Sequence, residues 1–215
     1  MVFFNKNISF TGSLAGIIVS IAVFLGAGFP GLILWIAFVV LGTAASQWKI
    51  ELKNSWGLSQ PKRTAVHAFS NGGVAMVCGL ASWMFPAHSI LFQAMIAASL
   101  ASATADTLSS ELGSIYGRRF INIVTLKPDQ RGLDGVISWE GTLIGGLGSF
   151  IVAAIYSLST GWGPVFYWIG IAGILGNLFD SLLGATLQRR GYMNNHMVNF
   201  ANTLFAALII YFYLK

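Results

Sequence analysis

The sequence predicts an all-α protein, a polytopic membrane helical bundle of about seven transmembrane helices with a cytoplasmic N-terminus. Three observations carry this reading. Of 215 residues, 55% are apolar and only 9% are charged, against about 25% charged in ordinary soluble domains. Four blocks, 7–48, 64–105, 141–179 and 191–214, contain no Asp, Glu, Lys or Arg, and a spanning helix needs about 20 mostly apolar residues. Lys and Arg then gather in alternate loops, as they do on the cytoplasmic side of a membrane protein.

The first three blocks are each long enough for two spans. They are divided by breakers: "GAGFPG" at 26–31, "FPAH" at 85–88 and "STGWGP" at 159–164, where Gly and Pro interrupt helix and turn the chain. The spans are therefore expected near 8–28, 31–48, 65–85, 88–113, 140–158, 164–188 and 195–214. Lys49, Lys53, Lys62 and Arg63 fall in the second loop, Arg118, Arg119, Lys127 and Arg131 in the fourth, and Arg189 and Arg190 in the sixth. With Lys6 ahead of the first span, eleven of the twelve basic residues lie on one face. The net charge of +5 thus reads as topology and not as nucleic-acid binding.

One integral membrane domain, 1–215, accounts for the chain, with no room for a soluble unit. No cleavable signal peptide is expected, because the N-terminal apolar stretch is of span length and lacks a small-residue cleavage site. The single Cys78 has no intrachain partner and reads as a buried, inert thiol. A homo-oligomer stays open.

The ends of the spans carry the chemistry. Ionisable groups inside a span are expensive and usually serve ion, substrate or proton chemistry, yet "SATADTLSSELG", 102–113, places Asp106 and Glu111 at the end of span four. Five residues correspond to about 140° of helical rotation, so the polar surface is broad. Asp106 aligns with Ser109, Ser110 and Gly113, and Glu111 with Thr104 and Thr107. In span six Asn177, Asp180, Ser181, Gly184 and Gln188 follow a single helical stripe. Asn195, Asn199 and Asn202 repeat the spacing in span seven, while span three carries His67 and Asn71. All lie toward one end, which predicts one polar cavity built from spans three to seven. "ADTL" and "FDSL", each leading to Arg-Arg, give a weak hint that spans three and four repeat as six and seven.

Other polar positions have plainer readings. Ser109, Ser110, Thr186, Asn202 and Thr203 suit hydrogen bonds between helices, and the glycines of "GTLIGGLG" at 141–148 suit close helix packing. His67, His88 and His196 lack metal-ligand spacing. For Asp106, Glu111 and Asp180 the structural alternative is an ion pair with Arg118 or Arg131.

Carboxylates among amides and hydroxyls suit Mg²⁺, which keeps several waters and bridges to substrate phosphates. Arg and Lys supply anion contacts, Arg bidentately, and phosphoryl transfer is mainly positioning and charge neutralisation by such groups. A bundle open to lipid adds a route for an apolar tail. The residues therefore point to a Mg²⁺-dependent enzyme acting on a lipid phosphate.

Four motifs in order, "ATADTLSSELG" (103–113), "RGLDGVISWEGTLIGGLGS" (131–149), "DSLLGATLQ" (180–188) and "NNHMVNF" (194–200), resemble the integral-membrane family that contains phytyl-phosphate kinase. "SNGGVA" (70–75) extends the likeness upstream and brings in Asn71. The resemblance implies transfer of a phosphoryl group from a nucleoside triphosphate, CTP or UTP favoured, to an isoprenoid monophosphate, with kinship at a distance to CTP-dependent polyprenol kinases. It implies catalytic and metal roles for Asp106, Glu111 and Asp180, and substrate or nucleotide roles for Asn71, Glu140, Gln188, Asn194, Asn195 and Asn199. Arg118, Arg119, Lys127 and Arg131, in the loop after span four, would form the nucleotide side. The chain departs from many relatives at a Pro-Gly-Thr-Asn-Gly-Gly-like loop, with Leu133 at the expected Thr and Val136 at the second Gly. The expected location is a cell inner or plasma membrane, with the site facing the cytoplasm. The competing reading is an ion-coupled transporter or channel, in which the same acids bind a coupling ion.

Overall fold

The computed structural model describes residues 9–58 and 62–215; Lys6, the expected start of span one at Ile8, and residues 59–61 lie outside them. Seven α-helices follow in order: α1 Phe10–Gln47, α2 Ile50–Ser55, α3 Ala65–Met84, α4 Ser89–Tyr116, α5 Trp139–Thr160, α6 Pro164–Leu183 and α7 Asn195–Leu214. The last turns of the α6 rod, Gly184–Gln188, are π-helical. Five of the rods are long and apolar enough to cross a membrane. The chain is an all-α membrane bundle.

α1 consists of two helical arms that fold back on each other at Gly28. Gly28 adopts φ 60° and ψ −151°, a left-handed backbone that glycine accepts without a Cβ clash, and Pro30 follows at the start of the returning arm. Both ends of α1 consequently meet the same residue. The Ser9 N–H donates to the Arg63 carbonyl at 3.0 Å, and the Arg63 guanidinium donates to the Gly42 carbonyl at 3.1 Å. Val19 of one arm and Trp35 of the other both crowd Gly72 of α3. The two spans expected across "GAGFPG" are these two arms.

α3 matches its expected span apart from one residue at its end. A 3₁₀ turn at Pro86–His88 then reverses the chain into α4, as the Pro-containing breaker requires. α4 is the axis of the bundle. It contacts α1, α3, α5, α6 and α7, and from Ala94 to Ala105 it is buried on every side. Its run of Ala, Ser and Thr explains this, because small side chains let neighbouring backbones approach closely. α5 uses glycine for the same purpose: a Cβ on Gly145 would stand 2.7 Å from the Ala105 carbonyl oxygen. The packing reading of "GTLIGGLG" holds.

Two elements escaped the sequence reading. α2 has only six residues, too few for a periodic signal. The α4–α5 loop is a folded unit, with β1 Ile121–Asn122 antiparallel to β2 Val136–Ile137. Asn122, buried beneath it, accepts the Val124 and Thr125 N–H groups at 2.9 and 3.0 Å, an Asx turn. The basic loops gather at one end of the bundle: Arg131 stacks over Trp56, and Arg189 pairs with Asp129 at 2.8 Å.

α1 and α3 approach closely at Gly79, where a Cβ would lie 2.4 Å from the Ala22 carbonyl oxygen. Gly79→Val should therefore lower unfolding stability in detergent by about 1–3 kcal/mol, the usual range for overpacking. Gly163→Ala, where no atom lies within 4 Å of the new Cβ, should change the thermal midpoint far less. Equal midpoints for the two variants would contradict the close α1–α3 approach.

Candidate functional site

A cavity of about 550 Å³ opens at the end of the bundle where the basic loops gather, within the usual range for a small-molecule site. α4 supplies Asp106, Thr107, Ser109, Ser110 and Glu111; α6 and its π turn supply Asn177, Asp180, Ser181, Gly184 and Gln188. The stripe expected on span six thus faces one space in full. Asn71 enters from α3, and Asn195 and Asn199 from α7. The expected walls were spans three to seven, but both arms of α1 also line the cavity. Apolar periodicity alone gave no reason to place α1 there.

The three acids have different surroundings. Glu111 is buried and already neutralised: Lys53 Nζ lies 2.6 Å from Oε2, and Ser46 Oγ donates to Oε1 at 3.0 Å. Lys53 comes from α2, is 1% exposed, and also donates to the Ala45 and Ser46 carbonyls. The ion-pair alternative weighed for the acids thus applies to Glu111, with Lys53 as partner in place of Arg118 or Arg131. Arg63 completes this corner, donating to Ser46 Oγ at 3.0 Å.

Asp106 and Asp180 have no such partner; the ion pairs among the described residues are Lys53–Glu111 and Arg189–Asp129. Both line the same cavity, Asp106 from α4 and Asp180 from α6. Asp180 Oδ2 accepts from Asn202 Nδ2 at 2.6 Å, and Ser102 Oγ in turn donates to Asn202 Oδ1 at 3.0 Å. Asn202 is fully buried and orients the carboxylate from behind, which is the interhelical role expected of it. Ser109 Oγ likewise donates to Asn177 Oδ1 at 3.0 Å. Asn199 Nδ2 reaches Asn71 Oδ1 at 3.5 Å.

The roof of the cavity is the folded loop, whose residues Gly132 to Ser138 line it together with Phe120. Gly135, at φ 70°, lies so close to α6 that a Cβ would stand 2.3 Å from the Ala185 N. Arg189 clasps the loop from the far side, donating to the Asp134 carbonyl at 2.7 Å and to Asp129 Oδ2 at 2.8 Å. The Gln130 N–H and the Arg189 guanidinium hold the Asp129 carboxyl below its usual range. Partial burial pushes Asp134 the other way, against the pull of Arg189. Asp134 adds a further carboxylate to the cavity lining, beside Asp106, Glu111 and Asp180.

The remaining candidates stand elsewhere. Arg118, Arg119 and Lys127 are exposed and are not on the cavity wall. Arg131 is held over the Trp56 and Phe120 rings at 4.3 and 4.7 Å, which fastens the loop to the segment after α2. Glu140 accepts from the Arg118 N–H at 3.4 Å, and Asn194 caps α7 by accepting from the Met197 N–H. Arg63, Lys53 and Asp134 were missed as site residues. The first two carried a signal only as positive charge near a span end, and nothing in sequence brings them beside Glu111. His67 and His196 meet edge to face at 4.6 Å, a pairing across α3 and α7 that no local spacing reveals.

Fold and site together define a class: an integral-membrane helical bundle with a carboxylate-bearing cavity roofed by a folded loop at one end. The chain belongs to the integral membrane protein family DUF92, whose model matches residues 1–207. It is 33% identical over 182 residues to an uncharacterised membrane protein of Methanocaldococcus jannaschii, covering 85% of this chain and 75% of that one. It is 29% identical over 213 residues to the chloroplastic protein VTE6 of Arabidopsis thaliana, covering 94% of this chain and 64% of VTE6. An uncharacterised membrane protein of Synechocystis is 28% identical over 200 residues, 89% of this chain and 77% of its own. These matches bear out the family resemblance drawn from the motifs. No solved structure matches the chain.

Removing one member of a buried ion pair leaves the other charge uncompensated, at a cost of about 3–5 kcal/mol. Lys53→Met should lower stability in detergent by that order, whereas Lys53→Met with Glu111→Leu should recover most of it. A double variant no more stable than the single one would show that Glu111 has another essential partner.

Proposed function

We propose that this protein is a prenyl-phosphate kinase, transferring the terminal phosphoryl group of a nucleoside triphosphate to an isoprenoid monophosphate. The observation that carries the reading is the pair Asp106 and Asp180, two carboxylates without cationic partners facing one cavity in a chain whose motifs resemble the phytyl-phosphate kinase family. An uncompensated pair of acids beside a low-dielectric bundle calls for a cation.

Mg²⁺ suits this donor set. It commonly takes one or two carboxylates and completes its shell with water and substrate phosphate oxygens. Asp106 and Asp180 meet that requirement, although no group of three His, Cys, Asp or Glu converges among the described residues. Asp106 and Asp180 would hold the ion, with Asp134 at the rim, and the ion would neutralise charge developing on the phosphoryl oxygens. Glu111, engaged by Lys53, shapes the wall behind them.

The reaction balances simply. An oxygen of the prenyl monophosphate forms a bond to the γ-phosphorus, the bond from that phosphorus to the β,γ-bridging oxygen breaks, and the nucleoside diphosphate leaves with the electron pair. A phosphate oxygen is already nucleophilic near neutral pH, so no general base is required. The chain's work is positioning and charge balance. Asn71, Asn195, Asn199 and Gln188 present amide groups to the cavity, Arg63 adds a cation to its wall, and exposed Arg118, Arg119 and Lys127 are free to meet an incoming triphosphate, with CTP or UTP favoured.

The gathering of the basic loops at one end of the bundle supports seven spans with that end in the cytoplasm. Cysteines replacing Lys127 and Arg190 in a Cys78→Ser background should react with an impermeant maleimide in inverted vesicles and not from outside intact cells. Labelling from outside would reverse the orientation.

Purified protein in detergent should convert phytyl or geranylgeranyl monophosphate to the diphosphate with Mg²⁺ and at least one of CTP, UTP, GTP and ATP. Asp106→Asn and Asp180→Asn should each reduce turnover by about 100-fold or more while still inserting and purifying. Absence of product with every donor, combined with ion flux in proteoliposomes that depends on both acids, would replace the kinase by a transporter.

A further inference from the structure

The cavity has a second end that phosphate chemistry does not use. From Asp106 it continues between the two arms of α1, where Ile17 of one arm and Ile36, Val39 and Val40 of the other line it. Three of these are also outer-surface residues: Ile17 is 55% exposed, Ile36 49% and Val40 57%. A residue that both lines a cavity and faces outward marks its mouth. This mouth therefore opens sideways through the wall of the bundle.

Its depth follows from the helices. Ile17 and Val40 each lie seven residues from an end of α1, roughly 10 Å at 1.5 Å per residue. Both ends sit beside Arg63 at the loop end of the bundle. The mouth thus falls where acyl chains, and not water, surround the protein. Inside it Gly16 lines the passage, and the position a Cβ would take there has no heavy atom within 4 Å. The absence of a side chain leaves the passage clear, and buried Trp35 and Phe38 form apolar wall behind it.

We infer that the groove between the arms of α1 holds the apolar tail of an amphiphilic phosphate ester, which enters laterally from the bilayer past Ile17, Ile36 and Val40 while its phosphate rests among the polar groups beside Asp106 and Asp180. The occupant is set by continuity: one cavity joins a slot whose large side chains, Ile17, Trp35, Ile36, Phe38, Val39 and Val40, are apolar, with Ser13, Ser20 and Thr43 among them, to a polar, carboxylate-bearing chamber. A free water-soluble phosphate would leave the slot without use, and an ordinary acyl chain would leave the chamber empty. The inference rests on the kinase reading for the identity of the head group only.

Gly16→Trp fills the slot from a position with no neighbouring atoms, and Ile36→Trp does so from the opposite arm. Binding of geranylgeranyl monophosphate and of dimethylallyl monophosphate to the detergent-purified full chain, measured by native mass spectrometry, tests the assignment. In the parent protein the long tail should bind much more tightly than the short one. Each variant should reduce that long-to-short affinity ratio at least tenfold, with its thermal midpoint showing that it is folded. A ratio equal to the parent's in both folded variants, or a parent protein that does not discriminate tail length, would overturn the assignment. Tail-dependent binding that responds to both variants in a protein lacking turnover with any nucleotide would sustain the groove and reject the kinase. Turnover of the long substrate by both folded variants at the parent KM would sustain the kinase and reject the groove.

Discussion

Everything in this bundle depends on one constraint, that α4 must run through its centre in contact with five other helical segments. A central helix can do so only if its side chains are small, and from Ala97 to Ala105 they are Ala, Ser and Thr apart from Leu100. Lipid tails offer no hydrophobic drive between helices, so the bundle relies on close packing and internal hydrogen bonds. The glycines of α3, α5 and α6 answer the small residues of α4 and α1. The same constraint determines where the acids go. Asp106 and Glu111 follow directly after the tightly packed stretch, on the wall of the cavity.

The cavity also shows how a membrane protein keeps several charges at a span end. Glu111, Lys53, Arg63 and Ser46 form a connected electrostatic corner, in which Glu111 accepts from Lys53 and Ser46, and Ser46 accepts from Arg63. Beside it Asp106 and Asp180 remain uncompensated. A corner of paired charge thus stands next to two carboxylates without a cationic partner, Asp106 on α4 and Asp180 on α6. The loop roof has its own fastening, through the Arg189 clasp and the stacking of Arg131, so the cavity is shaped by groups that do not themselves line its acidic part.

Family membership and geometry meet at the same residues. The motifs that resemble the phytyl-phosphate kinase family converge on one space, although they come from four different helices and one loop. The basic residues between α4 and α5 do not follow them onto the cavity wall. Their backbone does, since Gly132 to Ser138 form the roof while the side chains of Arg118, Arg119 and Lys127 stay in solvent and Arg131 packs against aromatic rings.

By itself the sequence determined what local physics controls: the class of protein, the helix breaks at Gly28, Pro86 and Gly161–Pro164, the polar stripe of α6 and the common end at which the acids and basic loops lie. Each is encoded within a few turns of chain, by hydropathy, by backbone breakers or by helical period. Only the tertiary structure decided which acid is neutralised, that both arms of α1 join the cavity wall, and that His67 meets His196. These depend on contacts between residues as far apart as Lys53 and Glu111, or Ser46 and Glu111. The short α2 that carries Lys53 is too brief to leave a periodic trace, and the groove between the arms of α1 exists only because Gly28 turns the chain back on itself. A sequence shows that a charge is present near a membrane surface; the packing of helices decides whether that charge has a partner.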